Sequence, residues 1–329
     1  MVKNLMNGWV RGLIVTLITG AVISITFFIL TPQNIPTLHT HALSAQSYKD
    51  ALQRVAALRA DEGQNMNPVS RLQLMTHQKK TERAIILVHG YTSSPQQFHQ
   101  LGLQLYDAGY NVLIAPLPHH GLADRMTQEH AKLTAEELAA YTDRTVNIAR
   151  GLGKQVVMMG ISTGGVMTAW AAQNRSDIDL AVIISPAFGF NKIPTFLTAA
   201  AMNIYGFLPD IFEWWNPDLK EKEPPAYSYP RYSRHALVEI LRLGFAVRTD
   251  ASKKPPAAKK MVFIFNANDT TINHELEKEM ATIWQSYHAK LTTYEFPAAL
   301  KLRHDMIDPA KSGQRTDIVY PRLMELIKE

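Results

Sequence analysis

The chain has 329 residues, of which 34 are Lys or Arg and 29 are Asp or Glu, so its formal net charge is +5 with neutral histidines. The basic side chains form no stripe and are not interleaved with aromatic residues, which argues against nucleic acid as a partner. The absence of cysteine excludes disulfides, thiolate metal sites and a cysteine nucleophile. The length suits one large α/β domain with additional segments.

The N-terminal segment predicts a membrane-spanning helix. Residues 12–30 contain no charged side chain, and as a helix they span about 28 Å of hydrocarbon. Lys3 and Arg11 precede this segment, whereas residues 32–47 contain no Lys or Arg. The positive-inside rule therefore predicts that residues 1–11 are cytoplasmic and that the rest of the chain lies on the periplasmic side of an inner membrane.

A cleaved signal peptide is the alternative interpretation of this segment, and it would make the protein secreted. Two features favour a retained anchor. The apolar stretch is longer than the core of an ordinary signal peptide, and the small-residue site at residues 42–45 lies far beyond its end.

Residues 31–80 are predicted to connect this anchor to a larger domain at residues 81–329. An amphipathic helix is predicted from Ser47 to Ala60, because its apolar residues recur at helical spacing. Residues 70–75 alternate apolar and polar side chains, which is typical of a short strand.

The larger domain alternates predicted strands with predicted helices. The run from Ala84 to Val88 is apolar on both faces, as in a central parallel strand covered by helices. One intervening helix begins with Thr134 and Glu137 at capping-box spacing. Further strands are predicted at residues 112–115, 156–159, 180–184, 261–265 and 291–296. This alternation predicts an α/β fold with a mostly parallel sheet and helices on both faces.

The alternation stops at residues 187–232, a segment rich in aromatic residues and proline. A long insertion inside a compact domain is commonly functional. We therefore expect this segment to form a helical cap that covers a site and provides an apolar pocket.

The central motif of the chain is Gly160-Ile161-Ser162-Thr163-Gly164, which lies between a predicted strand and a predicted helix. A G-x-S-x-G sequence in this context is typical of a strained turn that exposes a nucleophilic serine. The flanking glycines are needed because the neighbouring backbones approach closely.

A nucleophilic serine requires a base, and the base requires a carboxylate that orients it. The chain provides Ser162, then Asp269 after the strand at 261–265, then His304 after the last strand. All three follow strand ends, the edge of a parallel sheet where ligands bind.

The sequence resembles the α/β-hydrolase superfamily from about residue 83 onward, in particular its carboxylesterase and monoacylglycerol-lipase branch. The resemblance rests on five motifs, which are His89-Gly90-Tyr91, Pro118-x-His120-Gly121, Gly160-x-Ser162-x-Gly164, Asn268-Asp269 and His304-Asp305. It implies that Ser162 is the nucleophile, His304 the general base and acid, and Asp269 the orienting carboxylate. The sequence departs from the usual pattern at His119, where relatives commonly have glycine, and at Thr163, where a larger apolar residue is frequent.

The resemblance also implies the remaining parts of the site. The backbone N–H groups of Tyr91 and Thr163 are expected to form an oxyanion hole. We expect His120, Trp214 and Trp215 to line the substrate pocket. Neither a cofactor nor a metal is expected.

Some candidate residues have other interpretations. Asp269 can instead cap a helix that begins near Thr271, in which case Asp305 or Asp308 would be the carboxylate. A metal site at His119, His120, Asp124 and His130 is disfavoured, because their spacing matches no familiar ligand pattern.

The sequence therefore predicts a membrane-anchored serine hydrolase that cleaves small or lipid-like carboxylic esters through an acyl-enzyme. An amide-cleaving relative of the proline iminopeptidases is an alternative, and it would use acidic cap residues to bind a free amino terminus. The acidic residues available there are Asp210, Glu213, Asp218, Glu221 and Glu223. A catalytically idle binding module is a further alternative. A haloalkane dehalogenase is disfavoured because that chemistry requires aspartate at the position of Ser162.

Overall fold

The computed structural model describes residues 8–328, and the main sheet consists of seven of the nine strands found there. The strands are β1 (Gln73–Met75), β2 (Thr81–Val88), β3 (Asn111–Ile114), β4 (Gly153–Ile161), β5 (Leu180–Ile184), β6 (Phe212–Trp214), β7 (Arg231–Ser233), β8 (Met261–Asn266) and β9 (Leu291–Phe296). The sheet has the order β1-β3-β2-β4-β5-β8-β9. Only β1 pairs antiparallel with its neighbour in this sheet, so the predicted mostly parallel sheet is confirmed.

Helices cover both faces of the sheet. The helices of residues 8–328 are α1 (Gly8–Leu30), α2 (Tyr48–Ala60), α3 (His99–Asp107), α4 (Ala135–Leu152), α5 (Thr163–Asn174), α6 (Thr198–Phe207), α7 (Arg234–Ala251), α8 (His274–Ser286) and α9 (Thr316–Lys328). Helix α1 stands apart from the sheet and is not buried, and α6 belongs to the inserted segment. Successive side chains of a strand point to opposite faces. Ile85 and Leu87 therefore pack with α3 and α9, whereas Ile86 and Val88 pack with α4, α5, α7 and α8.

The predicted capping box at the start of α4 is present. Thr134 Oγ1 accepts a hydrogen bond from the Glu137 N–H at 3.2 Å, and Glu137 Oε2 accepts one from the Thr134 N–H at 3.1 Å. The two residues satisfy donors that the first turn of a helix leaves open. This fixes the start of the helix that leads into β4.

The N-terminal elements differ in extent from the sequence prediction. Helix α1 begins at Gly8 and includes Arg11, whereas residues 1–7, which contain Lys3, lie outside the described residues. Strand β1 covers only residues 73–75, because residues 68–70 form a 3₁₀ turn that begins with proline. The division of the chain at residues 30 and 80 stays a prediction.

The predicted cap contains strands as well as a helix. Helix α6 packs against α7, and β6 pairs antiparallel with β7 in a separate two-stranded sheet. The inserted segment therefore combines one helix with a β-hairpin, and it lies at the edge of the main sheet where β4, β8 and β9 end.

Candidate active site

Ser162 occupies the strained turn between β4 and α5. Its backbone has φ 57° and ψ −116°, a conformation that residues with a side chain rarely adopt. A Cβ atom on Gly160 would lie 2.1 Å from the Gly164 carbonyl oxygen, and one on Gly164 would lie 2.1 Å from the Val88 carbonyl oxygen. Both glycines are therefore needed for the chain to pass Ser162 in this geometry.

Asp269 and His304 are brought together by the turns after β8 and β9. The Nδ1–H of His304 donates to Asp269 Oδ2 at 2.6 Å, and Asp269 Oδ1 accepts from the Thr271 N–H at 2.8 Å. Helix α8 begins at His274 and is capped by Asn273, so Asp269 does not cap it. Each oxygen of the buried Asp269 carboxylate therefore accepts a hydrogen bond, and these two bonds fix the orientation of the carboxylate.

The other two carboxylates weighed for this role have different partners. Asp305 Oδ1 accepts a hydrogen bond from Gln97 Nε2 at 3.0 Å, and Asp308 Oδ1 accepts one from the hydroxyl of Tyr227. Neither carboxylate is hydrogen-bonded to His304.

The close contact between Asp269 and His304 stabilises the charged form of both groups. Burial lowers the pKa of His304, but the charge and hydrogen bond of Asp269 outweigh it and raise the pKa to about 9. Burial likewise opposes ionisation of Asp269, yet the charge and hydrogen bond of His304 hold the pKa of that carboxyl below its usual range. The contact therefore favours a carboxylate at Asp269 and an imidazolium at His304.

Ser162 and His304 line one cavity of about 430 Å³. His304 Nε2 is buried and has no hydrogen-bond partner among residues 8–328. Its other ring nitrogen is bonded to Asp269, so Nε2 is the nitrogen that remains available for a proton from a group in the cavity.

The cavity wall also contains Tyr91 and Thr163. Within residues 8–328, neither of their backbone N–H groups donates a hydrogen bond to a protein acceptor. Thr163 is the first residue of α5, where backbone N–H groups have no intrahelical partner and favour negative charge. An oxygen atom that carries negative charge could accept hydrogen bonds from both.

The loop after β2 is held by hydrogen bonds to the cap. The hydroxyl of Tyr91 accepts from the Ser233 N–H at 3.1 Å, and Thr92 Oγ1 accepts from Trp215 Nε1 at 2.8 Å. The carbonyl of Thr92 accepts from the Tyr229 N–H at 2.7 Å. The position of the Tyr91 N–H therefore depends on the cap.

The three residues predicted to line the pocket have different positions. Trp215 lines the cavity that contains Ser162. Trp214 lines a neighbouring cavity of about 450 Å³, which shares Trp215 and Phe190 with the first. His120 lies behind the loop and contributes to neither cavity wall, because its Nε2 accepts a hydrogen bond from the Thr92 N–H at 3.3 Å.

A cluster of three buried histidines, His89, His120 and His130, packs against the loop after β2. His89 accepts a hydrogen bond from the Leu117 N–H through Nε2 at 3.0 Å, and His130 Nδ1 lies 2.7 Å from the Tyr91 hydroxyl. The rings of His120 and His130 lie 6.1 Å apart. Burial lowers the pKa of His89 and His120 to about 3 and that of His130 to about 4. These histidines are therefore neutral near pH 7.

The histidine cluster does not form a metal site in the part of the chain described. Within residues 8–328, no group of three or more His, Cys, Asp or Glu side chains is arranged to hold a metal ion. His119, which was weighed as a ligand, is directed to Glu137 at 3.2 Å. It has φ 62°, the left-handed conformation that glycine adopts most readily.

A second pair, His274 and Glu277, lies behind Asp269 and was not predicted from the sequence. His274 Nε2 lies 2.8 Å from the Asp269 carbonyl oxygen, and His274 Nδ1 lies 2.9 Å from Glu277 Oε2. Glu277 is fully buried, and burial raises its pKa to about 7. The i, i+3 spacing at the start of a helix was a visible signal, but the sequence does not show that this face is buried against Asp269.

The sheet is mostly parallel, a serine lies in a strained strand-to-helix turn, and an Asp–His pair follows later strands. These features together define an α/β-hydrolase. The chain belongs to the serine aminopeptidase S33 family (Hydrolase_4), whose profile matches residues 79–297. The predicted fold class and superfamily are therefore confirmed.

Individual relatives include lipases. The chain is 23% identical over 227 residues to a thermostable monoacylglycerol lipase from Bacillus sp. (strain H-257), which covers 66% of this chain and 87% of the relative. The fold is similar to that of a monoacylglycerol lipase from Paleococcus ferrophilus, with TM-score 0.56, 17% identity and coverage of 78% of this chain and 97% of that one. A soluble variant of monoglyceride lipase from Saccharomyces cerevisiae has TM-score 0.53 and 16% identity over 78% of this chain and 89% of its own.

The buried histidines predict loss of stability in mild acid. Their pKa values are lowered in the folded protein, so below pH 6.5 these three side chains bind more protons in the unfolded chain than in the folded one. Each of the three then reduces the free energy of unfolding by up to about 1.4 kcal/mol per pH unit. Burial raises the pKa of Glu277 to about 7 and that of Asp308 to about 6, and these two carboxyls act in the opposite sense. We expect urea unfolding of the full chain in detergent micelles to show a net decrease between pH 6.5 and 4.5, smaller than the three histidines alone would give.

The variant His130→Gln tests this origin, because it removes one of the three groups. The slope of the unfolding free energy against pH should decrease by up to about 1.4 kcal/mol per pH unit, the contribution of one proton. Replacement of the exposed His39 by Gln should leave the slope unchanged. An identical slope in His130→Gln and the unchanged protein would contradict the prediction.

Proposed function

We propose that the protein is a membrane-anchored serine hydrolase that cleaves carboxylic esters through an acyl-enzyme at Ser162. The observation that carries this proposal is the hydrogen bonding of the two ring nitrogens of His304. One ring nitrogen is bonded to the buried Asp269 at 2.6 Å, and the other is unpartnered on the cavity wall that also contains Ser162. This is the arrangement that a general base for a serine nucleophile requires.

In the proposed reaction, Ser162 Oγ attacks the ester carbonyl carbon while His304 Nε2 takes the hydroxyl proton. The carbonyl oxygen becomes an oxyanion that accepts hydrogen bonds from the N–H groups of Tyr91 and Thr163. The C–O bond to the alcohol then breaks, and the imidazolium gives its proton to the leaving alkoxide. A water molecule, deprotonated by His304, hydrolyses the acyl-enzyme and releases the acid.

The neighbouring cavity supports an apolar acyl group in the substrate. Aromatic and aliphatic side chains of the cap and of α7 form much of its wall, beside the charged Lys192, Glu213 and Arg234. It adjoins the Ser162 cavity through Phe190 and Trp215. Aliphatic surface is attracted to such walls because it leaves water. The relatives named as monoacylglycerol lipases support an acyl ester as the substrate.

Helix α1 supports the proposed anchor. Residues 9–30 form an apolar helix that is long enough to cross a bilayer and that is not buried in the rest of the structure. A signal sequence passes the same test, so the fate of this segment needs a direct measurement. Mass spectrometry of the mature protein should find a chain of 37.0 kDa, whereas removal of the segment would support secretion.

An amide-cleaving reaction has one specific observation in its favour besides the family description. Glu223 lines the Ser162 cavity, and its buried Oε2 has no hydrogen-bond partner within residues 8–328. Asp210 and Glu213 instead accept hydrogen bonds from Ser233 and Arg234.

If the protein is an aminopeptidase, aminoacyl p-nitroanilides should be better substrates than esters, and Glu223→Gln should abolish that preference.

The direct test is hydrolysis of p-nitrophenyl esters across a series of acyl-chain lengths by the full chain in detergent micelles. We expect turnover of short or medium esters. Ser162→Ala and His304→Ala should each lower kcat by about a thousandfold or more, because nucleophile and base act as a unit.

Labelling with a fluorophosphonate provides the control for this test. The unchanged protein should be labelled at Ser162, and Ser162→Ala should not. A folded protein that neither turns over esters nor reacts with the probe would overturn the esterase proposal and favour the catalytically idle binding module.

The Asp269–His304 pair predicts the pH dependence of the reaction. Only neutral His304 can accept a proton, and Asp269 raises its pKa, so kcat/KM should fall as pH decreases through a value above 6.5. Asp269→Asn should shift this acidic limb of the pH–rate profile to lower pH. It should also lower kcat by about a thousandfold or more. Rates measured from pH 5 to 10 check both effects.

The matched control for this substitution is Asp305→Asn. Asp305 raises the pKa of His304 through its charge, but it makes no hydrogen bond to the ring. We expect a smaller shift of the pH limb and a much smaller loss of kcat. Equal effects of the two substitutions would contradict the assignment of Asp269 as the orienting carboxylate.

The His274–Glu277 pair is proposed to position Asp269. Replacement of Glu277 by Leu removes the acceptor of His274 and loosens the Asp269 loop, so kcat should fall by roughly tenfold or more with little change in KM. Glu277→Gln retains an acceptor and should recover most of kcat, while the pH limb moves to lower pH because the Glu277 charge also raises the pKa of His304. Equal rates in the Leu variant and the unchanged protein would exclude this role.

A further inference from the structure

The side chain of Asn203 joins the cap to the end of the apolar helix. Its Nδ2 donates hydrogen bonds to the carbonyl oxygens of Ile29 and Thr31, each at 2.8 Å, and its Oδ1 accepts from the Gln33 N–H at 3.0 Å. The last carbonyls of a helix have no intrahelical partner. Asn203 satisfies two carbonyls at this end, so α6 is fixed where α1 ends.

The same part of the cap exposes large apolar side chains. No charged residue occurs between Lys192 and Asp210. Helix α6 buries residues 198–200 and Met202, while other apolar residues of the segment are exposed. We call these exposed side chains the cap face; they are Phe196, Ile204, Phe207, Leu208 and Ile211.

The exposure of the cap face is large enough to need a partner. Phe207 is 90% exposed and Phe196 is 73% exposed. Clustered apolar side chains on the surface of a soluble domain mark an interaction site. The partner must be apolar over a broad area, because the segment offers no charge for specific recognition.

We propose that the cap face rests on the phospholipid bilayer that α1 crosses. This inference rests on the proposed anchor at α1. A helix that leaves the bilayer at Leu30 is bonded to α6 within three residues, so no linker separates the cap from the lipid surface. The cap face is therefore held at the level where an apolar surface meets headgroups and acyl chains.

This placement also explains the position of the second cavity. Its wall includes Tyr205, which belongs to α6, and it adjoins the Ser162 cavity at Trp215. An acyl chain that leaves the bilayer beneath α6 enters this cavity before it reaches Ser162. The substrate class that fits is an amphiphilic ester embedded in the membrane, with its ester group at the level of the headgroups.

The absence of cysteine in the natural sequence allows single-site labelling of the full chain in phosphatidylcholine nanodiscs. An environment-sensitive fluorophore is attached to Phe207→Cys and, as a control, to Leu103→Cys. Leu103 is an exposed apolar residue on α3, which packs on the opposite face of the sheet from α7. Spin-labelled lipid reports contact with the bilayer, and iodide reports contact with water.

We expect lipid quenching at least twofold stronger at position 207 than at position 103, and the reverse order for iodide. Asn203→Ala in the Phe207→Cys background should reduce the lipid quenching. Equal iodide quenching at the two positions would overturn the proposal. Protection of position 207 from both quenchers would also overturn it, because a second copy of the chain would then cover the cap face.

An activity measurement separates this inference from the proposed function. The double variant Phe196→Ser, Phe207→Ser should lose at least fivefold in kcat/KM toward a monoacylglycerol embedded in the nanodisc, while hydrolysis of a short water-soluble ester stays unchanged. Leu103→Ser should affect neither substrate. If the unchanged protein hydrolyses no ester, the proposed function fails, and the quenching result alone decides whether the cap face contacts lipid.

Discussion

The rest of the site depends on the close approach of three backbones at Ser162. Gly164 lies so near the Val88 carbonyl that no Cβ atom fits between them, and the Ser162 N–H donates to the Ile184 carbonyl at 3.1 Å. The serine is thereby locked between the ends of β2 and β5, in the middle of the sheet. Because the loop after β2 carries the Tyr91 N–H, the same contact sets the distance between Ser162 and the N–H groups that we propose as oxyanion donors. A larger residue at Gly164 would displace both together.

The cap and the loop after β2 form one hydrogen-bonded unit. Trp215 and Tyr229 of the cap both form hydrogen bonds with Thr92. The buried His120 and His130 pack next to this loop, and they stay neutral because burial disfavours their charged forms. Buried polar networks of this kind define a single arrangement when every member is satisfied. His130 Nε2 is an exception, since it has no partner within residues 8–328. Because the cap is hydrogen-bonded to this loop, a movement of the cap would also move the Tyr91 N–H, which we propose as an oxyanion donor.

Local patterns in the sequence predicted the parallel strands of the main sheet, the capping box at Thr134 and the turn at Ser162, because each depends on neighbouring residues. They did not predict β6 and β7 in a segment expected to be helical. The contacts that tune the site join distant residues and have no local signature. Tyr91 and His130 are 39 positions apart, and the burial of Glu277 depends on packing that periodicity does not specify. Trp214 and Trp215 show the same limit within one segment. Trp214 is the last residue of β6 and Trp215 follows it. Both line the neighbouring cavity, but only Trp215 also lines the Ser162 cavity, and no local pattern distinguishes the two positions.

The electrostatics of His304 do not choose between ester and amide substrates. Asp269 raises the pKa of His304, which makes the neutral ring a stronger base for a serine hydroxyl. The same Asp–His arrangement serves serine hydrolases that cleave amides and those that cleave esters. A choice between the two substrates must therefore come from the walls of the cavity. Glu223 is the acidic cap side chain that lines the Ser162 cavity among the residues described, so recognition of a free amino terminus would depend on a single carboxylate.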